Sequence, residues 1–469
     1  MSFKKTRIEH DTMGQVNVDN NHLWGAQTQR ALEHFYNKSH CHPKAFLIAY
    51  LELKKACASA NRETDKLTTQ QADLITKACN QLLDNFDPSQ FPLSIWTSGS
   101  GSQTNMNINE VIAHIANKKT SAKPGDKNYI HPNNHVNASQ STNDTYPASI
   151  QIATANELVH KLMPTVISCR EKMRVLEEKY AHIIKLARTH LQDAVPISTG
   201  QVFGCYQELL NDAVSKMHQS LDDLFELPVG GTAVGTGLNA PENFDSLACD
   251  QLSEQLKMPF VPAKNKFVGI SAHLPMTHAS HAITSLATSL NKIANDIRYL
   301  SSGPRAGLME FILPENEPGS SIMPGKVNPT QCEALSMACL KVLANQQLID
   351  MCCASGQFEL NTYKPIINYT LLESIDILSG VLDKFNRYCL SGIQINQKVI
   401  QNHLDHSYML ITGLQPIIGY DKCAEVVKKA HESGRKPKDI CLELGYCDES
   451  TYDKHTNPAA MVGNVDDAY

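Results

Sequence analysis

Five polar segments of the chain are too rich in hydrogen-bond donors to be simple connectors between helices. They are rich in polar residues such as serine, threonine, asparagine and histidine, three of them also contain glycine, and they lie at residues 97–110, 131–144, 187–193, 230–239 and 318–329. In the first, small residues would let backbone N–H groups approach a ligand, and the following helix start would add free N–H groups and the positive end of its dipole. This segment therefore predicts an anion site, although a flexible Gly/Ser turn would have the same composition.

The second segment contains two histidines four residues apart. His131 and His135 could suggest a metal site, but Pro132 predicts a loop, in which this spacing does not align the two rings. No carboxylate motif of the metalloprotease kind accompanies them. Hydrogen bonding to a polar ligand is therefore the preferred interpretation.

The third and fourth segments carry weaker signals. His190 is the lone histidine of residues 187–193, and such a residue is more often structural than catalytic. Residues 230–239 are rich in glycine, but they lack the preceding strand and the glycine spacing of a dinucleotide-binding loop.

The fifth segment, residues 318–329, has the glycines and prolines of a loop that can close over a ligand. Its end predicts a helix start, with Asn328 as the N-cap, Pro329 as the first helical residue and Gln331 at the third position, similar to a capping box. An ordinary loop between helices is the alternative.

Long helices must position these segments. Apolar side chains recur at alternating steps of four and three residues, or cover most faces, over long stretches. These stretches predict helices at residues 155–176, 200–227, 279–300, 329–349 and 371–386. Pro164 should kink the first helix, and residues 329–349 should be buried in a core or against other subunits.

The predicted fold class is mainly α, with a long helical bundle and smaller N- and C-terminal regions. A chain of 469 residues exceeds a single compact core. The expected regions are a mixed, mainly helical N-terminal domain at 1–140, a central long-helix bundle at 141–395 and a small C-terminal helical domain at 396–469.

Composition and charge exclude several classes of function. The net charge is −6 and no run of lysine or arginine stands out, which argues against binding nucleic acid or anionic membranes. No apolar stretch is long enough to span a membrane, and the first residues resemble neither a secretory signal nor a transit peptide. The 14 cysteines are scattered without a Cys-x-x-Cys pair, as in reduced cytoplasmic proteins. We therefore expect a cytoplasmic protein.

The five segments together resemble the fumarase/aspartase superfamily. The loop that begins Gly319-Ser320-Ser321 is similar to its signature, the continuation after Pro329 resembles class II fumarases, and the other four segments match in order and separation. The resemblance implies reversible hydration of fumarate to L-malate, a reaction of the tricarboxylic acid cycle, without a cofactor or metal. It also implies a homotetramer whose active sites are each built from three subunits.

The resemblance also implies roles for individual residues. Ser320 would act as an alkoxide that removes a proton alpha to a carboxylate, and Lys326 would help to stabilise its charge. His190 would handle the water, and Glu333 would orient and polarise that imidazole. The substrate would be bound by Ser100, Gly101, Ser102, Ser141, Thr142, Asn143, Thr189, Ser321, Lys326, Val327 and Asn328.

A second, non-catalytic anion site near the entrance is also implied, formed by His131, Pro132, Asn133 and Asn134. The sequence departs from the family there, since Asn134 and His135 stand where Asp is usual or frequent and Asn128 replaces a common Arg. These changes leave open whether the entrance site binds anions.

Three alternatives remain beside the hydratase. Aspartate ammonia-lyase shares the fold, but its loop usually has Ala where Gly325 stands. Argininosuccinate and adenylosuccinate lyases diverge after the Met-Pro pair of the loop. A non-catalytic structural member is the third alternative, and it is disfavoured by the presence of Ser320, Lys326, Asn328, His190 and Glu333.

Overall fold

The computed structural model describes residues 6–123, 126 and 128–463, and the chain is mainly α-helical, as expected. The helices, numbered in chain order, are α1 (Ala26–His34), α2 (Lys44–Glu63), α3 (Thr69–Asp84), α4 (Ser102–Thr120), α5 (Thr142–Glu157), α6 (Met163–Tyr180), α7 (Thr199–Phe225), α8 (Phe244–Leu256), α9 (Lys266–Ser271), α10 (Leu274–Leu300), α11 (Thr330–Ala354), α12 (Lys364–Tyr388), α13 (Gln397–His406), α14 (Gln415–Ile418), α15 (Tyr420–Ser433), α16 (Pro437–Glu443) and α17 (Glu449–His455).

The strands form four small two-stranded sheets. Three pairs are antiparallel and the pair β5–β6 is parallel. The strands are β1 (Thr6–Asp11), β2 (Gly14–Asp19), β3 (Ile184–Thr189), β4 (Gln192–Ser198), β5 (Glu226–Leu227), β6 (Val261–Pro262), β7 (Phe311–Ile312) and β8 (Gln394–Ile395). The sparse strand-like alternation of the sequence agrees with these short pairs.

The long helices confirm the apolar periodicity, with one shift of register. In α10 the predicted face from Ala279 to Ile297 is buried. Before α6, however, the apolar period predicts burial of Val159, whereas Leu158 is buried in its place, within a π-helical turn at residues 158–162. This turn directly precedes Pro164, the position at which we expected a kink.

Two compact units divide the described chain. The first contains Met1–Pro164, Ala213–Ala287 and Leu340–Ser379, and the second contains Thr165–Asp212, Thr288–Cys339 and Gly380–Tyr469. We call them the first and second units. The three-region division with boundaries at 140 and 395 stays a prediction.

The core of the first unit forms around α2, which packs against α3, α5 and α8. Phe46, Tyr50 and Tyr146 are fully buried there, and their rings lie within 4.7 to 6.0 Å of one another. Tyr50 Oη and Thr145 Oγ1, 2.8 Å apart, form a hydrogen bond that satisfies the buried phenol. This packing fixes α5, whose first residues belong to the second polar segment.

The second unit has its own aromatic core beside the β3–β4 hairpin. Phe203 stacks on Phe311 at 5.6 Å and lies 6.1 Å from both Tyr180 and Tyr206. Near the C-terminus, α15, α16 and α17 surround a smaller cluster that includes Leu414.

The described residues contain no helix that is both long and apolar enough to cross a membrane. All 14 cysteines are free thiols and most are buried.

Candidate active site

The serine loop, residues 97–102, places three hydroxyl groups in a row before α4. The Oγ atoms of Ser98 and Ser100 are 2.8 Å apart, and those of Ser100 and Ser102 are 2.9 Å apart. Gly101 is the N-cap of α4 with φ +80°, a conformation that L side chains rarely adopt. The hydroxyls therefore lie beside the free N–H groups of a helix start, an arrangement that suits a carboxylate.

The start of α5 is the second group of donors. Ser141 is its N-cap and accepts a hydrogen bond from Asn143 N–H, while Asp144 closes a capping box by accepting from Ser141 N–H at 3.0 Å. The other oxygen of Asp144 accepts from the N–H groups of Gly230 and Thr232, at 3.0 and 2.9 Å. One buried carboxylate thus ties the second polar segment to the fourth.

A further link, through Asn105, joins α4 to the start of α5. Asn105 donates to Thr142 Oγ1 at 2.8 Å and to Asn137 Oδ1 at 3.1 Å. Lys54 of α2 is fully buried and donates to Asn137 Oδ1 and Gln140 Oε1, at 3.0 and 2.9 Å. The structure therefore brings the first, second and fourth segments together in the first unit.

Sequence reasoning missed Lys54 and gave no role to Asp144. The available signal was a charged residue inside the apolar run of α2. Burial lowers the pKa of Lys54 to about 8. Burial also raises the pKa of Asp144 to about 6, because desolvation outweighs its three backbone N–H donors. Through their hydrogen bonds, Lys54 and Asp144 hold the donor-bearing segments in place.

The predicted entrance site is a π-helical turn, Pro132–Val136, where Pro132 had predicted a loop. His131 Nδ1 accepts from the N–H groups of Asn133 and Asn134, and His135 Nδ1 accepts from His131 N–H. Burial lowers the pKa of both rings, so each favours the neutral form. His131 and Pro132 also line a cavity of about 620 Å³ in the first unit.

The third segment forms the turn of the β3–β4 hairpin in the second unit. His190 and Leu191 occupy the turn with φ of +58° and +62°, and Thr189 and His190 are exposed. Two consecutive left-handed residues are the geometry of a tight hairpin turn, here without the usual glycine. The sequence contained no signal for this turn.

A buried ion cluster holds the base of this hairpin. Glu310 is fully buried and lies 2.6 Å from Arg188 Nη2, 2.9 Å from Lys185 Nζ and 3.1 Å from His403 Nδ1. Burial opposes ionisation of Glu310, but Lys185 and Arg188 outweigh it and keep the pKa of this carboxyl below its usual range. Burial likewise lowers the pKa of Lys185. Glu310 thereby fixes the strand that ends at Thr189.

The fifth segment is an open loop in the second unit. Ser320 is half-buried, and the side chains of residues 321–327 are exposed. Ile322 N–H donates to Ser320 Oγ at 3.4 Å, and Lys326 N–H donates to Met323 O at 3.3 Å. These bonds are long, and an isolated β-bridge between Gly319 and Pro324 is added to them, so the loop has few internal hydrogen bonds.

Helix α11 begins one residue later than predicted. Its first backbone bond runs from Glu333 N–H to Pro329 O, so Thr330 is the first helical residue and Pro329 precedes it. Within the described residues no side-chain bond joins Asn328 and Gln331, so the expected capping box is wrong. Glu333 lies in the first turn with an exposed side chain.

The expected catalytic residues share the second unit but do not meet as side chains. In the part of the chain that the structure describes, no hydrogen bond or ion pair joins Ser320 to Lys326 or His190 to Glu333. The expected donors of the first unit, in contrast, are linked through Asp144 and Asn105. Asn143 adds a further bond by donating to Ala233 O at 2.8 Å.

Comparisons with known proteins identify the family. A profile described as lyase matches residues 14–344, and one described as fumarase C C-terminus matches residues 410–463. The class II fumarate hydratase of Helicobacter pylori is 44% identical over 97% of this chain and 99% of its own length. The chain belongs to the class II fumarate hydratase family.

Two further relatives support this family membership. The class II fumarate hydratase of Thermosynechococcus vestitus is 46% identical over 98% of this chain and 98% of its own length. The crystal structure of class II fumarase from Schistosoma mansoni superimposes with a TM-score of 0.96, at 36% identity, covering 98% of this chain and 99% of that one. The predicted bundle fold is confirmed.

Proposed function

We propose that the chain catalyses the reversible hydration of fumarate to L-malate, as a hydro-lyase. The observation that carries this proposal is the near full-length match to class II fumarate hydratases, at 44% and 46% identity. The donor-rich start of α4 and α5 supports it, because a dicarboxylate offers two anionic groups to such helix starts. The net charge of −6 makes these local donors necessary for binding a dianion.

The proposed binding residues come from both units. From the first we assign Ser100, Gly101, Ser102, Ser141, Thr142 and Asn143 to the substrate carboxylates. From the second we assign Thr189, Ser321, Lys326, Val327 and Asn328. Donors held in place before the reaction stabilise the charge that develops on a carboxylate more than they stabilise the bound ground state.

The proposed chemistry begins, in the direction from malate, with Ser320 removing the proton alpha to one carboxylate. A serine hydroxyl is a weak base, so Lys326 and the loop N–H groups must stabilise its alkoxide. The resulting carbanion delocalises into the adjacent carboxylate as an aci-carboxylate. His190 then protonates the leaving hydroxyl, and Glu333 orients the imidazole. No metal or cofactor takes part in this proposal.

A homotetramer, with each active site shared by three subunits, completes the proposal. Met337, Leu340 and Met351 of α11 are 67%, 56% and 61% exposed in the single chain, an apolar face that suits burial against other copies. Assembly would also explain why His190 and Glu333 do not meet within the described residues of one chain. We further propose a cytoplasmic location, and an entrance site for anions at His131, Asn133 and Asn134.

The deciding experiment follows the ultraviolet absorbance of the fumarate double bond after L-malate is added to the purified protein. Parallel samples contain L-aspartate in place of malate, and every sample is repeated with a chelator. We expect fumarate from malate alone at a rate that chelator does not change. Fumarate from aspartate would indicate an ammonia-lyase instead, and no product from either would indicate a non-catalytic member.

A further inference from the structure

The serine loop rests directly on the start of α12. A Cβ atom on Gly99 would lie 1.4 Å from Thr362 O, and one on Gly101 would lie 2.2 Å from the ring of Tyr146. Lys364 is the first residue of α12, and its backbone N–H donates to Gly99 O at 3.1 Å. A single layer of backbone therefore separates the segment carrying Lys364 from the proposed carboxylate donors.

Lys364 is a buried lysine whose side chain makes no hydrogen bond within the described residues. The residue is fully buried, and its Nζ has no hydrogen-bond partner among the residues that the structure describes. An unpaired buried charge is strongly unfavourable, so a protein normally supplies a counter-ion. Neither the signature loop nor the expected binding residues include this lysine.

Two buried lysines share one buried carboxylate near the start of α12. Asp144 on α5 interacts electrostatically with Lys364 and also with Lys54 on α2, so a positive charge on Lys364 is not matched by a carboxylate of its own. His273, which precedes α10, also interacts electrostatically with Lys364, and burial lowers the pKa of this ring to about 3, so it is neutral. The carboxylate of Asp144 is already occupied by three backbone N–H donors.

We propose that Lys364 is the electrostatic counter-charge for the dicarboxylate bound above it at the serine loop and the start of α5. The proposal rests on the proposed function, because it names a residue that helps that site to hold its dianion. Lys364 acts through the intervening loop without touching substrate, so it is a positioning residue. Opposite charges separated by one layer of backbone in a weakly polar interior change affinity by about tenfold.

Proton uptake is a consequence that a purely structural lysine would not show. Burial lowers the pKa of Lys364 to about 7, so the side chain is largely neutral at pH 8 in the empty protein. A dianion bound nearby favours the ammonium form, while Asp144 and His273 face the lysine in both states. Binding at pH 8 should therefore draw a proton onto Lys364.

The test is calorimetry of succinate, a dicarboxylate that cannot be hydrated, binding to the full-length protein at pH 8. Titrations in two buffers of different ionisation enthalpy give the number of protons taken up. We compare wild type with Lys364→Arg, which keeps the charge permanently, and Lys364→Met, which removes it. Lys264→Met is the control, since Lys264 is 91% exposed in the same unit.

At pH 8 we expect Lys364→Arg to bind succinate about fivefold more tightly than wild type, because its charge is present before binding, and to take up about 0.4 proton fewer. At pH 8 Lys364→Met should bind about twofold more weakly than wild type and about tenfold more weakly than Lys364→Arg, with KM for malate raised about twofold and kcat within about threefold. Lys264→Met should match wild type. Unchanged proton uptake in Lys364→Arg, or unchanged affinity in Lys364→Met, would overturn the proposal.

The arginine variant decides the matter even where Lys364→Met does not fold. Turnover of malate by wild type is scored separately, because it tests the hydratase function. Succinate binding with a Lys364-dependent proton but without turnover would support the counter-charge and contradict the hydratase. Turnover of malate together with a proton uptake that is the same in Lys364→Arg and wild type would support the hydratase function and contradict the counter-charge.

Discussion

The two regions that carry the proposed chemistry are built in opposite ways. In the first unit, the donors of the serine loop and of α5 are fixed by buried groups, above all Asp144 with three backbone N–H partners. In the second unit, the loop at 318–329 has long bonds such as the 3.4 Å contact from Ile322 N–H to Ser320 Oγ, and Ile322 is 82% exposed. One region is preformed and the other is open.

This difference separates binding from proton transfer. Preformed donors lose little freedom when an anion binds, so the first region can bind carboxylates without rearranging. The loop carrying Ser320 has few internal contacts, so its working conformation must come from ligand or from other subunits. Substitutions in the first region should therefore change stability and binding together, whereas those in the loop should change turnover or binding with little change in stability.

The largest expected effect is on turnover, from Ser320→Ala. If Ser320 is the base, kcat should fall by about 10³-fold or more, with the melting temperature unchanged because the side chain has little packing. Activity and thermal unfolding are measured on the same preparation, and Ser433→Ala on the exposed side of α15 is the control. Near-normal turnover would mean that another residue removes the proton.

The next effect is a change of stability with pH, from Lys364→Met. The folded pKa of about 7 lies below the ordinary 10.5, so between these values the unfolded chain binds more protons and wild-type stability rises with pH. Removing the lysine should stabilise the protein by roughly 3 to 5 kcal/mol below pH 7, and the gain should vanish toward pH 10.5.

Thermal unfolding of both proteins from pH 6 to 10 measures this difference. Asp144 and His273, the groups facing Lys364, remain in both proteins, so the difference isolates the lysine. A gain that is constant with pH would mean that the pKa of Lys364 is the same in the folded and the unfolded chain, so that the lysine stays charged in the folded protein.

Asp144→Asn should affect both properties of the preformed region. The amide keeps one acceptor oxygen but turns an N–H group toward backbone donors, which should cost about 1 to 3 kcal/mol. Loosening Ser141, Gly230 and Thr232 should also weaken succinate binding by about tenfold. Calorimetry and unfolding measure the two effects, with Asp193→Asn in the exposed hairpin as the control. Lower stability with unchanged succinate binding would mean that the contacts of Asp144 do not control the binding site.

Sequence reasoning succeeded where local pattern controls structure. The apolar period located α10, and the first donor-rich segment was correctly predicted to precede a helix, α4. It failed for the buried ionisable residues Lys54, Asp144 and Lys364. Whether a charged residue is buried depends on tertiary packing rather than on its neighbours in sequence. The His190 turn was missed for a related reason, since a buried ion cluster around Glu310 supports a hairpin that lacks the usual glycine.

The smallest expected effect is that of Gly325→Ala in the open loop. Gly325 has φ +78°, so an alanine there pays conformational strain of about 1 kcal/mol, but its Cβ would meet nothing within 4 Å. The matched change Gly101→Ala has a similar φ of +80°, yet its Cβ would lie 2.2 Å from Tyr146 in the preformed region. Gly101→Ala should therefore lower the melting temperature clearly more than Gly325→Ala. Equal losses would mean that the loop is as tightly packed in the assembled protein as the serine loop, and the contrast between the two regions would not survive assembly.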